Sequence, residues 1–358
     1  MDGKFLSKQA SKQASKQASK QASKQASKQA SKQASKQARV EYIDILRAIG
    51  IILMIMGHIG YGAIFDKWIH GFHMPMFFII SGYFYKQRGT IDLLKRRLQT
   101  LIIPYLFFGI THCLFFWLFL NKGFNLEPLK TMFWVNTDGM AIAGALWFLT
   151  ATFFAELFYN VLNERLNGWK LTLAAVIVAV AGMALAGFLP YRLPWALDSA
   201  MVGVGLFHCG KLLKNTKALR QNDITTCMGL LGFSLIILLN GMINMREGKY
   251  AIWPLFWIEA VGLTVSMWNF SRIFDGWRHF ILLKRWLISI GSNSITYLCL
   301  NQLNILIVNK GVEVLRITNI HGGPLLAERL LILAVVLALL YFENWVINHT
   351  FLKVVIGR

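Results

Sequence analysis

The chain has 358 residues, 56% of them hydrophobic and 15% charged, with a mean hydropathy of +0.49. Soluble globular chains are about 45–50% apolar, so this composition excludes an ordinary soluble enzyme and points to an integral membrane protein. The formal charge of +20 divides into +9 within residues 1–39 and +11 over the remainder, and in a membrane protein such an excess marks cytoplasmic loops rather than a nucleic-acid partner.

The chain opens on a tail of 39 residues in which SKQA is repeated eight times without error, from Ser7 to Ala38. A period of four offers no apolar seam, and nothing in the tail can bury a core, so residues 1–39 read as a disordered cytoplasmic segment. The perfection of the repeat has a reading at the level of DNA. SKQA coded as AGC-AAG-CAA-GCA is the unit AGCA in tandem, a tract that slips in replication and moves a gene in and out of frame. The expected consequence is phase-variable expression, and mixed synonymous codons across the repeats would rule it out.

Residues 40–358 form one membrane-embedded domain. A bilayer needs about 20 apolar residues per helix, and candidates lie near 43–63, 70–86, 99–120, 140–162, 170–189, 194–213, 226–245, 251–271, 286–309 and 325–347. The expected fold is therefore all-α, a polytopic bundle of about ten transmembrane helices. With the N-terminus in the cytoplasm, seventeen Lys and Arg fall in inside segments and nine in outside segments, so both termini are expected to be cytoplasmic. The cysteines, Cys113, Cys209, Cys227 and Cys299, all sit in apolar runs without a CxxC pair, which argues against a disulfide framework or a zinc site.

The first span, EYIDILRAIGIILMIMGHIG, places Arg47 and His58 eleven residues apart. At about 100° per residue they share one helix face, separated by about 16 Å, and Asp44 shares the Arg47 end of that face. Ionisable groups are costly in a bilayer and default to function. The stripe suits an extended anionic ligand with its charge at Arg47 and its reactive end at His58. The plainer readings are a snorkelling anchor for Arg47 and a helix-packing hydrogen bond for His58.

The second span, WIHGFHMPMFFIISGYFY, carries His70 and His73 at its outer end, Pro75 as an expected break in the helix ladder, and Ser81–Gly82, a step close enough for another backbone or a thin ligand. Lys95, Arg96 and Arg97 follow, three cations suited either to phosphate binding or to topology alone. Glu156, Glu259, Asp198 and His208 are further intramembrane polar groups, and LWFL puts Trp147 in the fourth span. No P-loop, G-x-S-x-G, H-E-x-x-H or dinucleotide motif is present.

YIDILRAIGIILMIMGH, FHMPMFFIISGYFY, RRLQTLIIPY and LWFL together resemble the membrane acyltransferase-3 family, and within it the fucose 4-O-acetylase-like members. The likeness is dense over about 39–160. IGSNSITYLCLNQ resembles a late-span pattern in which a histidine stands where this chain has Asn301. The resemblance implies a ten-helix O-acyltransferase of the bacterial inner membrane. Such an enzyme uses cytoplasmic acetyl-CoA as donor, with no bound cofactor or metal, and a cell-envelope glycan such as lipopolysaccharide or capsule as acceptor. It matches Arg47 and His58 to an essential pair and Lys95, Arg96 and Arg97 to a basic patch. His58 would serve as general base or as acyl carrier. Ser81 and Gly82 would flank the acyl-CoA, and His73, Trp147 and Glu156 would line the acceptor or acyl pocket. The competing reading of the buried His, Arg and Glu is a transporter or flippase for a sugar-lipid or small anion.

Overall fold

A largely apolar run without proline, interrupted by Asp44, Arg47 and His58, carries α1 over Glu41–Ile59, and Gly60 and Gly62, both at positive φ, turn the chain after it. The structure, a computed structural model, describes residues 40–119, 125–137, 144–314 and 326–357. The SKQA tail lies outside the described residues. The bundle is the compact unit that begins at Tyr42.

The second segment differs from the sequence expectation. It starts earlier and comes in two pieces, α2 (Ala63–His70) and α3 (His73–Tyr83), interrupted at Gly71–Phe72. His70 and His73 therefore flank an interruption instead of marking the end of a span. Pro75 lies in the first turn of α3, where its missing N–H has no intrahelical partner to lose, so it breaks no ladder. Next, α4 (Thr90–Arg97) runs through a π-helical turn at Leu98–Ile102 into α5 (Ile103–Phe119). Pro104 has no N–H to give the carbonyl of Thr100, and the ladder slips by one residue, with Ile103 N–H bonding the Leu98 carbonyl.

The remaining helices are α6 (Glu127–Phe133), α7 (Trp147–Arg165), α8 (Gly168–Phe188), α9 (Leu197–Leu213), α10 (Asp223–Asn240), α11 (Trp253–Asp275), α12 (Ile281–Ser292), α13 (Ser294–Val314) and α14 (Leu326–His349). Among the described residues the only strands form a short antiparallel hairpin, Ile243–Asn244 with Lys249–Tyr250.

Among the described residues, six helical stretches are long and apolar enough to cross a membrane: α1, α4 through α5, α8, α9 with the turn before it, α10 and α14. The other candidate segments are also helical, as α2–α3, α7, α11 and α13, and most are interrupted by polar side chains. Thr150, Thr152, Glu156 and Asn160 lie on α7, and Asn301 and Asn304 on α13, all buried. Of these helices, α3, α7 and α13 contribute walls of the candidate site.

The most enclosed span is α9, which packs on α3, α7 and α8. Glycine makes the closest of these contacts possible. A Cβ added to Gly82 would lie 1.9 Å from the carbonyl oxygen of Phe207, and one added to Gly210 would lie 2.0 Å from that of Ile79. By contrast α8 and α10 expose Leu173, Val176, Ile177, Leu231, Leu235 and Leu239, apolar faces suited to lipid.

Candidate active site

A cavity of about 560 Å³ opens among α1, α3, α4, α7 and the α12–α13 junction. Its cations are Arg47, Lys86, Arg88, Arg96 and Arg97, and its one acid among the described residues is Glu156. Ser292, Asn293 and Ser294 add polar groups at the junction. Gly291 allows that junction to reach α1, since a Cβ there would stand 1.8 Å from the Asp44 carbonyl oxygen.

Arg47 reaches the cavity from α1. Its Nη1 lies 3.3 Å from Asp44 Oδ1, one helical turn earlier, and its guanidinium stands over the Phe84 ring at 5.8 Å from the centroid. Asp44 is buried behind Arg47 and does not line the cavity. Arg97 grips Glu156 with both ends of its fork, Nε to Oε2 at 2.6 Å and Nη2 to Oε1 at 2.7 Å. Glu156 thus belongs to the Arg47 end of the bundle, apart from His73 and Trp147. Arg96 lines the cavity, whereas Lys95 is exposed on α4 and does not. Ser81 lines it too, its hydroxyl donating to the Phe77 carbonyl at 2.8 Å. Gly82 is absent from the lining and serves the packing of α3 on α9.

Lys86 and Arg88 were not among the expected site residues. Both sit in the turn after α3, and the buried side chain of Asn160 organises that turn. Its Nδ2 donates to the Arg88 carbonyl at 3.0 Å, and its Oδ1 accepts from the Tyr85 hydroxyl at 2.6 Å. Lys214, just past α9, donates to the Tyr85 carbonyl at 3.0 Å. Burial and neighbouring Lys86 push the Lys214 ammonium below its ordinary pKa, a mark of crowded positive charge beside the cavity. In sequence the only signal was the YKQRGT turn, which read as topology.

Away from the cations the lining turns apolar, with Ile51, Phe77, Phe148, Leu149 and Leu298. Phe77 and Phe148 are in ring contact at 5.9 Å, and Trp147 stands against Phe148 at 6.1 Å, itself buried and outside the lining. Two buried hydroxyls in the lining, Thr152 Oγ1 and Thr296 Oγ1, have no hydrogen-bond partner.

His58 is beyond this apolar end. It lies seven residues past Ile51 on α1, about 10 Å along the axis, and is not part of the cavity lining. Met54 and Ile55 between them are buried. As a residue His58 is nonetheless accessible, though set deep among its neighbours, and its Nδ1 lies 2.7 Å from Oδ1 of buried Asn301 on α13. The ionisable groups that act on it electrostatically include His70, Arg246, Asp66 and His73. His70 Nδ1 contacts the Asp66 carboxylate at 3.2 Å and stands edge-on to His73 at 5.3 Å. His73 is buried with its Nδ1 on the Ile69 carbonyl at 2.6 Å. Arg246 Nε donates to the Thr137 carbonyl at 2.8 Å, and the Arg246 carbonyl is held by Arg192, itself paired with buried Asp198. Among the described residues no group of three or more His, Cys, Asp or Glu is arranged to hold a metal.

The structure therefore brings Arg47, Ser81, Arg96, Arg97 and Glu156 together around one cavity. It leaves His58 and His73 outside that lining, with Asn301 as the partner of His58.

A family model described as an acyltransferase domain matches residues 40–345. Nodulation protein NolL of Mesorhizobium japonicum is 28% identical over 160 residues, which is 40% of this chain and 41% of that protein. The chain thus spans less than half the length of that curated relative. No solved structure matches.

Proposed function

The chain belongs to the membrane acyltransferase-3 family, and from that premise we propose that it transfers an acetyl group from acetyl-CoA to a hydroxyl of a cell-envelope glycan such as lipopolysaccharide or capsule. The Arg47 end faces the cytoplasm of a bacterial inner membrane, in keeping with the seventeen-to-nine division of Lys and Arg. On this reading ten segments cross the bilayer and both termini are cytoplasmic.

The observation that carries the reading is the set of five cations around a cavity whose apolar end points along α1 toward His58. The phosphates of the donor meet Arg47, Lys86, Arg88, Arg96 and Arg97, where guanidinium forks favour bidentate contact. The thin pantetheine arm runs into the apolar end, where the unpartnered hydroxyls of Thr152 and Thr296 suit its amides. Lys95 adds only long-range attraction.

The glycan hydroxyl approaches from the His58 end. Its oxygen attacks the thioester carbonyl carbon, a C–O bond forms and the C–S bond breaks. The hydroxyl proton passes to His58 Nε2 and from there to the departing thiolate, which leaves an acylated glycan and free CoA thiol. His58 acts as general base, and its exposure supports access by the acceptor. His73 and Trp147 support the walls of the acceptor side.

The test is His58→Ala in membranes supplied with labelled acetyl-CoA and envelope glycan. Transfer of label is expected to vanish while the variant inserts and accumulates as the parent does. Full transfer by the variant would end the assignment.

A further inference from the structure

Asn301 stands on α13 where it reaches three partners at once. Its Nδ2 lies 2.6 Å from the Leu298 carbonyl and 3.2 Å from that of Tyr297, and its Oδ1 lies 2.7 Å from His58 Nδ1. The side chain is fully buried. A primary amide has two N–H donors on one side and one acceptor oxygen on the other. Both carbonyls can only accept, so the NH₂ must face them. Turning the amide over would press Oδ1 against the Leu298 oxygen at 2.6 Å, lone pair to lone pair. With Oδ1 committed to His58, only an N–H on Nδ1 satisfies the contact.

We propose that Asn301 is a positioning residue that holds His58 as the Nδ1–H tautomer, leaving Nε2 as the one ring nitrogen free to take the acceptor's proton. This rests on the general-base reading of His58. The Nδ1–H bond to Asn301 is present whether Nε2 is empty or protonated, so the ring neither turns nor exchanges partners as the proton arrives. That is preorganisation in the sense that raises kcat without tightening donor binding. A neutral amide does this without adding charge near Asp66, His70, His73 and Arg246, which act electrostatically on the same ring. Asn301 is thus a functional substitute at a position where the sequence pattern has a histidine.

Two variants and one spectrum test it on the full-length protein. Asn301→Leu keeps the volume and removes the acceptor; Asn301→Asp, held by burial as a neutral carboxylic acid with its O–H on the Leu298 carbonyl, keeps an acceptor oxygen toward Nδ1. Asn301→Leu is expected to lose about 10- to 100-fold in kcat, the usual cost of a lost orienting partner, with KM for acetyl-CoA within twofold of the parent. Asn301→Asp is expected to stay within tenfold of the parent in kcat. Nitrogen-15 NMR of histidine-labelled protein, with His58→Ala subtracted to assign the resonance, is expected to show the proton on Nδ1. That spectrum is taken on the unmodified chain, so it decides even if Asn301→Leu fails to accumulate. An unchanged kcat in Asn301→Leu, an equal loss in both variants, or a proton on Nε2 would each overturn the proposal. Activity in His58→Ala would instead overturn the general-base reading, so the two failures are separable.

Discussion

Arg97 and Glu156 show what one residue contributes inside the bundle. The carboxylate of Glu156 is almost wholly enclosed, and both its oxygens face the Arg97 fork. Removing one member of such a pair strands the other, which costs about 3–5 kcal/mol in a fully buried case. Arg97 is 30% exposed, so a smaller figure is expected here. Arg97→Ala should lower the thermal midpoint of the detergent-solubilised protein by several degrees. Arg96→Ala, whose parent residue is exposed, should leave it unchanged. A melting curve followed by size-exclusion chromatography checks both. At this scale the sequence was legible where a side chain is costly. Arg47, His58 and Glu156 stand out because charge and imidazole are expensive in lipid. Lys86 and Arg88 did not stand out, because a basic turn after a span has a topological explanation, and only the Asn160 side chain shows that the turn is built.

The seam between α3 and α9 is set by backbone proximity, which belongs to whole elements. Gly82 and Gly210 bring each helix against carbonyl oxygens of the other. Gly82→Val would put a branched side chain into the Phe207 carbonyl and force the helices apart, at a cost of at least about 1–3 kcal/mol of overpacking. Because α3 also carries Phe77 and Ser81, the shift would deform the cavity. The expected result is little or no folded protein, read as loss of the monodisperse peak. Ser81→Ala should keep that peak. The SG pair in the sequence allowed either packing or ligand approach, and the structure divides the two roles between the two residues. The break between α2 and α3 was less legible than the helices themselves. Pro75 drew attention, yet it sits where a helix tolerates it, and the interruption falls at Gly71–Phe72, where an added Cβ would meet the Ile237 side chain of α10.

Across the molecule, five cations drawn from α1, the turn after α3 and α4 converge on one cavity. If this cavity takes the proposed anionic donor, its capture depends on ionic strength, because the Debye length falls from about 10 Å at 0.1 M salt to about 3 Å at 1 M. KM for acetyl-CoA is therefore expected to rise severalfold between these conditions, with kcat nearly constant. A KM indifferent to salt would mean that the cations do not meet the donor. Hydropathy located the helices at this scale, because each candidate segment had to be long and apolar to be noticed. It could not reveal that α7 and α13 turn their polar faces inward, since that depends on which neighbours they meet.

Ile51, Phe77, Phe148 and Leu298 form apolar lining of the cavity, and on the proposed function they stand as a bulkhead between it and His58. On that function, a permanently open bore from the cationic vestibule to His58 would leak ions across the membrane and let water hydrolyse the thioester before any sugar arrived. By the same reading, those side chains would keep water from the thioester until a pantetheine arm passed between them and filled the gap it opened.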